Sequence, residues 1–196
     1  MKKTLFIIFA IVFIDMLGIG ILIPVLPQFL GNPESAYYLL NPNQISFGFI
    51  LFGFMVALYP IGQFIATPIL GQLSDRYGRK IILALSITGT FTGYFLFALG
   101  VYTRNLPLMF FSRFLDGLTG GNISVAQATL ADITKPEERS KYFGMMGGIF
   151  GLGFIIGPYL GGLLTQKELV SWFNPVTPFL FAGILSFISL FFVIFL

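Results

Sequence analysis

Cysteine and histidine are both absent from the 196 residues. That removes thiol chemistry, disulfides, most zinc sites and imidazole acid–base catalysis. Charge is scarce too. Asp, Glu, Lys and Arg make up 10% of the chain, against about 25% in an ordinary soluble domain. So few charges cannot cover a water-facing surface. What is abundant is apolar: 56% of residues are hydrophobic, 25 are Phe, and the mean hydropathy is +0.90. Lipid is therefore the main solvent, and the chain reads as an integral, multi-pass membrane protein. With no clustered carboxylates to replace the missing His and Cys, no enzyme, metal site or cofactor is expected.

A spanning helix needs roughly 20 mostly apolar residues. Six segments qualify, at about 4–30, 45–70, 81–101, 106–131, 142–164 and 178–196. The expected fold is all-α, one six-helix transmembrane bundle over 1–196. The first run is too long for the h-region of a cleavable signal peptide. Helix starts are expected at Asn105, at Thr177 before Pro178, and at Thr134-Lys-Pro-Glu137, which has the form of a capping box. Orientation follows from basic residues in short loops. One set of helix ends carries Lys2, Lys3, Arg76, Arg79, Lys80, Lys135, Arg139 and Lys141; the other carries Arg104 and Lys167. Both termini are thus expected in the cytoplasm. These basic residues act as topology signals, which argues against a nucleic-acid partner.

Two patterns recur inside the spans. Pro68-Ile-Leu-Gly71-Gln-Leu73 ends the second, and Pro158-Tyr-Leu-Gly161-Gly-Leu163 ends the fifth. The two copies lie in helices of opposite direction, as a three-plus-three inverted repeat requires. Small-xxx-small spacings also abound: Gly117/Gly121, Gly144/Gly148, Gly147/Gly151, Gly153/Gly157 and Gly157/Gly161. These let helix backbones approach closely in lipid. No dinucleotide or Walker fingerprint is present, because the glycines have the wrong spacing and setting.

The polar island Gly71-Gln-Leu-Ser-Asp75-Arg76-Tyr-Gly78-Arg79-Lys80 resembles the loop signature of the major facilitator superfamily. Gly153-x3-Gly157-Pro158-x2-Gly161-Gly162 resembles that family's drug/proton antiporter motif. Arg113-x3-Gly117-x2-Gly120 resembles its Arg-containing motif, with Asp116 where Gln or a small residue is usual. The stretches 15–27 and 131–144 look like the tetracycline-type exporters, although those carry an acidic residue where this chain has Gly93 before Tyr94. The resemblance covers the whole chain. It implies the amino-terminal half of a twelve-helix transporter, and hence a carboxy-terminal half as partner. It implies a conformational latch built from Gly71, Asp75, Arg76, Gly78, Arg79 and Asp132. Arg79 would pair with Asp132, and Asp75 would face a helix end of the other half.

Three ionisable residues lie within spans: Asp15, Arg113 and Asp116. Each is costly there and by default functional. Arg113 and Asp116 share a helix face. Either they neutralise one another, or Asp116 carries protons, with desolvation and Arg113 acting on it in opposite senses. Asp15 has no cation on its own helix. It reads either as a proton or substrate site or as a carboxylate that sees water. Gln63, Asn122 and Gln127 are candidate cavity-lining residues. Three functions compete: half of a proton-coupled exporter for a hydrophobic or cationic small molecule, half of a metabolite transporter, and a non-transporting fragment or assembly subunit.

Overall fold

The computed structural model describes residues 2–196. All regular structure among them is helical: α1 (Lys2–Leu22), α2 (Pro27–Leu30), α3 (Ile45–Tyr77), α4 (Arg79–Tyr102), α5 (Leu106–Thr119), α6 (Asn122–Ile133), α7 (Pro136–Leu163) and α8 (Thr177–Ile194), with a short 3-10 turn at Pro42–Gln44. Five stretches are long and apolar enough to cross a membrane: Lys2–Leu30, Pro42–Tyr77, Arg79–Tyr102, Pro136–Leu163 and Thr177–Ile194.

The expected fourth span, 106–131, is not one helix. It breaks at Gly120 and Gly121 into α5 and α6. A break in lipid frees backbone groups that need partners. Here the Gln63 amide of α3 donates to the Gly120 carbonyl at 2.7 Å, and the Ser124 hydroxyl donates to the Gly121 carbonyl at 2.7 Å. The first segment is interrupted as well. α1 stops at Leu22, and α2 begins at Pro27 after a turn containing Pro24, which has no N–H to give.

α1 is the centre of the bundle, packed on α6, α7 and α8. α4 lies between α5 and α8, and α3 rests chiefly on α5. Each outer helix touches the bundle along one narrow stripe. On α3 that stripe includes Gly48, Met55, Gly62, Ala66, Leu70 and Ser74; on α7 it is Met146, Gly153, Gly157 and Gly161. These spacings of four and seven hold one helical face. Burying apolar surface gives no transfer gain against lipid, so contact distance matters most. At both crossings glycine meets glycine. A Cβ on Gly62 would lie 3.0 Å from the Gly117 backbone of α5, and one on Gly157 would lie 2.7 Å from the Gly20 Cα of α1.

The glycines of α7 therefore fall into two sets. Gly153, Gly157 and Gly161 press on α1, whereas a Cβ at Gly144, Gly147, Gly148, Gly151 or Gly162 would meet no described atom within 4 Å. The copies of P-x-L-G-x-L differ likewise: Gly161 abuts the Ile21 carbonyl, and Gly71 faces open space.

Three local expectations need correction. Gly71 does not end the second span. The helix continues to Tyr77, and the whole connection to α4 is Gly78, at φ 96° and ψ 142°. Only glycine adopts that conformation without strain. Thr134 caps nothing: its hydroxyl donates back to the Leu130 carbonyl at 2.7 Å, and α7 starts at Pro136 behind Lys135. Thr177 is the first residue of α8 rather than its cap. Asn105 does cap α5, accepting from the Leu108 N–H at 3.0 Å.

Candidate functional site

At the Gly78 rim, the tight turn leaves Arg79 as the first residue of α4, aimed across the ends of α3 and α6. Its guanidinium makes three contacts. Nη2 lies 2.6 Å from Asp75 Oδ1, Nε lies 2.9 Å from Asp132 Oδ2, and Nη1 donates to the Ser74 hydroxyl at 2.6 Å. Ser74 is buried and donates in turn to the Gly71 carbonyl at 2.7 Å. One side chain thus ties three helices. Asp132 and Asp75 are 55% and 64% exposed, so each ion pair alone contributes ~0–1 kcal/mol. The network holds geometry more than it adds stability. Asp75 is engaged with Arg79 on its own chain. Arg76 stands outside the network, with its guanidinium 5.4 Å from the Tyr77 ring centre. Lys80 instead reaches the end of α8, donating to the Ile194 carbonyl at 2.6 Å.

Deep in the bundle, α1 and α5 bring Asp15, Arg113 and Asp116 together. Arg113 Nη2 and Asp116 Oδ2 of α5 are 3.3 Å apart and almost fully enclosed. The guanidinium also lies 4.9 Å from the Phe97 ring centre and 5.4 Å from that of Tyr94, distances at which a cation is attracted to an aromatic face. Asp15 of α1 is 6% exposed, and neither of its carboxyl oxygens has a hydrogen-bond partner among the described residues. Asp15 and Asp116 line one small cavity together with Ile19, Tyr59, Thr90, Tyr94 and Asn122. Its free volume of about 10 Å³ is close to the space one water molecule needs. Two carboxyl groups with a single cation leave one negative charge for a proton to neutralise.

A second, larger cavity adjoins it through the shared walls Ile19 and Tyr59. It measures about 530 Å³ and lies between α1 and α3, lined by apolar side chains including Leu22, Leu26, Phe52 and Val56, with Tyr59, Gln63 and Arg113 as polar members. That size suits a small organic molecule. Of the three amide residues read from the sequence, Gln63 lines the large cavity and Asn122 the small one; Gln127 lines neither. The convergence of Tyr59, Thr90 and Tyr94 on the carboxyl groups escaped the sequence reading. Its one signal there was polar groups placed inside otherwise apolar runs.

The glycine–proline motif of α7 lines neither cavity. Gly153, Gly157 and Gly161 serve the α1 crossing, Pro158 packs against Gly20, and Gly162 faces away.

A sequence model of the Major Facilitator Superfamily matches residues 8–196. The class H tetracycline resistance protein of Pasteurella multocida is 39% identical over 184 residues, which is 94% of this chain and 42% of that protein. The class B tetracycline resistance protein of Escherichia coli is 34% identical over 195 residues, 100% of this chain and 44% of that protein. The chain thus spans less than half the length of these relatives. Among solved structures, the human organic anion transporter MFSD10 superposes with a TM-score of 0.76 at 25% identity, over 98% of this chain and 46% of that one.

Proposed function

This chain belongs to the major facilitator superfamily, and from that premise we propose that it is the amino-terminal half of a proton-coupled exporter of a hydrophobic, drug-like compound. It crosses a bacterial inner membrane six times, counting α5 and α6 as one interrupted span, with both termini in the cytoplasm. The observation that carries the reading is the pair of adjoining cavities. A greasy space of about 530 Å³ shares a wall with two carboxyl groups, one of them unpaired. A compound in the first and a proton in the second are close enough to affect each other's binding, which is what coupling demands. The relatives' names, tetracycline resistance proteins, support efflux of a drug.

Contact topology supports the inverted repeat. The second span crosses the fourth through Gly62 and Gly117, and the fifth crosses the first through Gly157 and Gly20. Exchanging the two triplets turns one crossing into the other. The first and fourth spans are also the two interrupted ones, and interrupted helices in matching positions are where transporters of this kind bind their cargo.

The carboxy-terminal half is the partner that the outer faces of α3 and α7 await. The Arg79 network is the latch at the cytoplasmic rim. In the assembled transporter Asp75 is free to leave Arg79 for the positive end of a facing helix. The same open faces favour a second reading, a subunit that assembles without transporting. Reconstitution of the purified chain in proteoliposomes, with its oligomeric state measured in the same sample, separates these. The half-transporter reading expects no flux from the monomer and substrate-driven proton counterflow once a carboxy-terminal half is supplied. Saturable, proton-driven flux from a demonstrated monomer refutes it. Assembly without flux leaves the second reading.

A further inference from the structure

Resting on the reading of the large cavity as the compound site, we propose that it selects an apolar molecule carrying an acidic oxygen, such as a carboxylate, enolate or phenolate, which the Arg113 guanidinium receives. Arg113 is 5% exposed, yet it lines the cavity. Its Nε and Nη2 have no hydrogen-bond acceptor among the described residues. Asp116 does not fill that need. Its Oδ2 is 3.3 Å from Nη2, near enough for charge attraction but not aligned as a hydrogen bond. The aromatic faces of Phe97 and Tyr94 flank the guanidinium, so it is held in place before any ligand arrives.

The rest of the lining sharpens the choice. Both carboxyl groups of the region, Asp15 and Asp116, line the small cavity and not the large one. The Gln63 amide is already committed to the Gly120 carbonyl. An organic cation entering the large cavity would therefore meet the guanidinium first, with the offsetting carboxyl group of Asp116, 3.3 Å from Nη2, set in the small cavity behind it. A neutral compound gains apolar contact but leaves buried donors unmet. An acidic oxygen fits both needs, because the guanidinium offers a fixed fork of donors matched to a carboxylate. Of the two cargo chemistries open from sequence, hydrophobic and cationic, the cavity supports the first and opposes the second.

The same contact explains how cargo and proton share one group. A bound anion draws on the guanidinium that Asp116 also uses, so loading the large cavity weakens the neutralisation of the small one. The groups facing that exchange are Asp15, Asp116, Arg113, Tyr59 and Tyr94.

The test is equilibrium binding of three probes with one skeleton, 4-(1-pyrenyl)butyrate, the matching butanol and the matching butyl-trimethylammonium. The purified chain is held in lipid nanodiscs, with empty nanodiscs subtracted. The carboxylate is expected to bind at least about tenfold tighter than the alcohol, and the ammonium more weakly than either. Arg113→Gln should bring the carboxylate-to-alcohol ratio to about one. Asp116→Asn should raise it, because the guanidinium then has no internal competitor; a merely structural arginine would leave the ratio unmoved in both variants. Equal binding of carboxylate and alcohol, tightest binding of the ammonium, or a ratio that survives Arg113→Gln overturns the proposal. If Arg113→Gln does not fold, the wild-type series and Asp116→Asn still decide. Binding of none of the probes removes the cavity as a compound site and the proposal with it. No flux is measured here, so an ammonium-preferring cavity would leave proton-driven export standing, and absent flux would leave the binding order intact.

Discussion

Replacing Gly153 by alanine separates the packing role of the glycine-rich motif in α7 from any role in transport chemistry. A Cβ at Gly153 would lie 2.5 Å from the Met16 Cβ and 3.1 Å from the Leu17 nitrogen of α1. Both atoms are fixed to the α1 backbone, so no side-chain rotation relieves the contact. Ordinary contact begins at 3.4 Å, which leaves about 0.9 Å of separation for α1 and α7 to supply at this contact. Forced overpacking of this kind costs ~1–3 kcal/mol. Alanine is also the better helix former, worth ~0.5–1 kcal/mol over glycine within a helix. Gly151→Ala isolates the two terms. It lies two positions earlier on the same helix, where a Cβ meets no described atom within 4 Å. It takes the propensity gain without the clash, and should stabilise by ~0.5–1 kcal/mol. The difference between the two variants then equals the packing cost, ~1–3 kcal/mol. Reversible unfolding in bicelles, followed by steric trapping, resolves such a gap. Equal stabilities for the two variants would refute the assignment of Gly153 to the α1 crossing.

Gly78→Ala should cost ~1–3 kcal/mol although there is open space around it, because its backbone conformation excludes a side chain; Gly71→Ala, within a helix, should cost nothing. The same unfolding assay compares them, and the reverse order would return the turn to Gly71. In an assembled transporter, Asp15→Asn should abolish proton-coupled efflux and Asp116→Asn alone should weaken it, since Arg113 stands beside only the second; full coupled transport by Asp15→Asn in vesicles removes that residue from the mechanism. Single cysteines at Glu34 and Lys167 should react with an impermeant thiol reagent from outside, and one at the exposed Arg76 should not, in a chain that has no native cysteine. The opposite labelling inverts the orientation.

The apolar runs were legible because lipid permits few architectures and each run had to be helical. The Arg113–Asp116 pair was legible too, since a three-residue spacing on a helix leaves the two side chains little choice. Which glycines break a helix was not. Gly120-Gly121, between Thr119 and Asn122, and Gly147-Gly148, between Met146 and Ile149, are the same dipeptide, yet the first separates α5 from α6 and the second lies within α7. At the first, Gln63, 57 positions away, takes the freed Gly120 carbonyl. Local sequence carries no trace of that partner. The turn at Gly78 was obscured in the same way: polar residues after Gly71 looked like a loop, whereas the buried Ser74, bonded to both Gly71 and Arg79, keeps the helix running through them. The meeting of Asp15 with Asp116 at one cavity depends on how α1 and α5 are placed in the bundle, which neither helix encodes alone.

The connections between helices are unevenly long, and the unevenness has a mechanical consequence. At one rim the chain passes between spans through Gly78 alone and through Thr134 and Lys135; at the opposite rim it passes through residues 31–44, 103–105 and 164–176. Two peptide units reach about 7 Å at full stretch, so Tyr77 and Arg79 are leashed within that distance whatever the rest of the bundle does. The short rim is a row of pins, and nearly all the slack lies at the far end. Tilting α3 therefore drags the start of α4 with it, and with it the Arg79 guanidinium, while the opposite ends of the same helices swing through a wider arc, as the legs of a pair of compasses do.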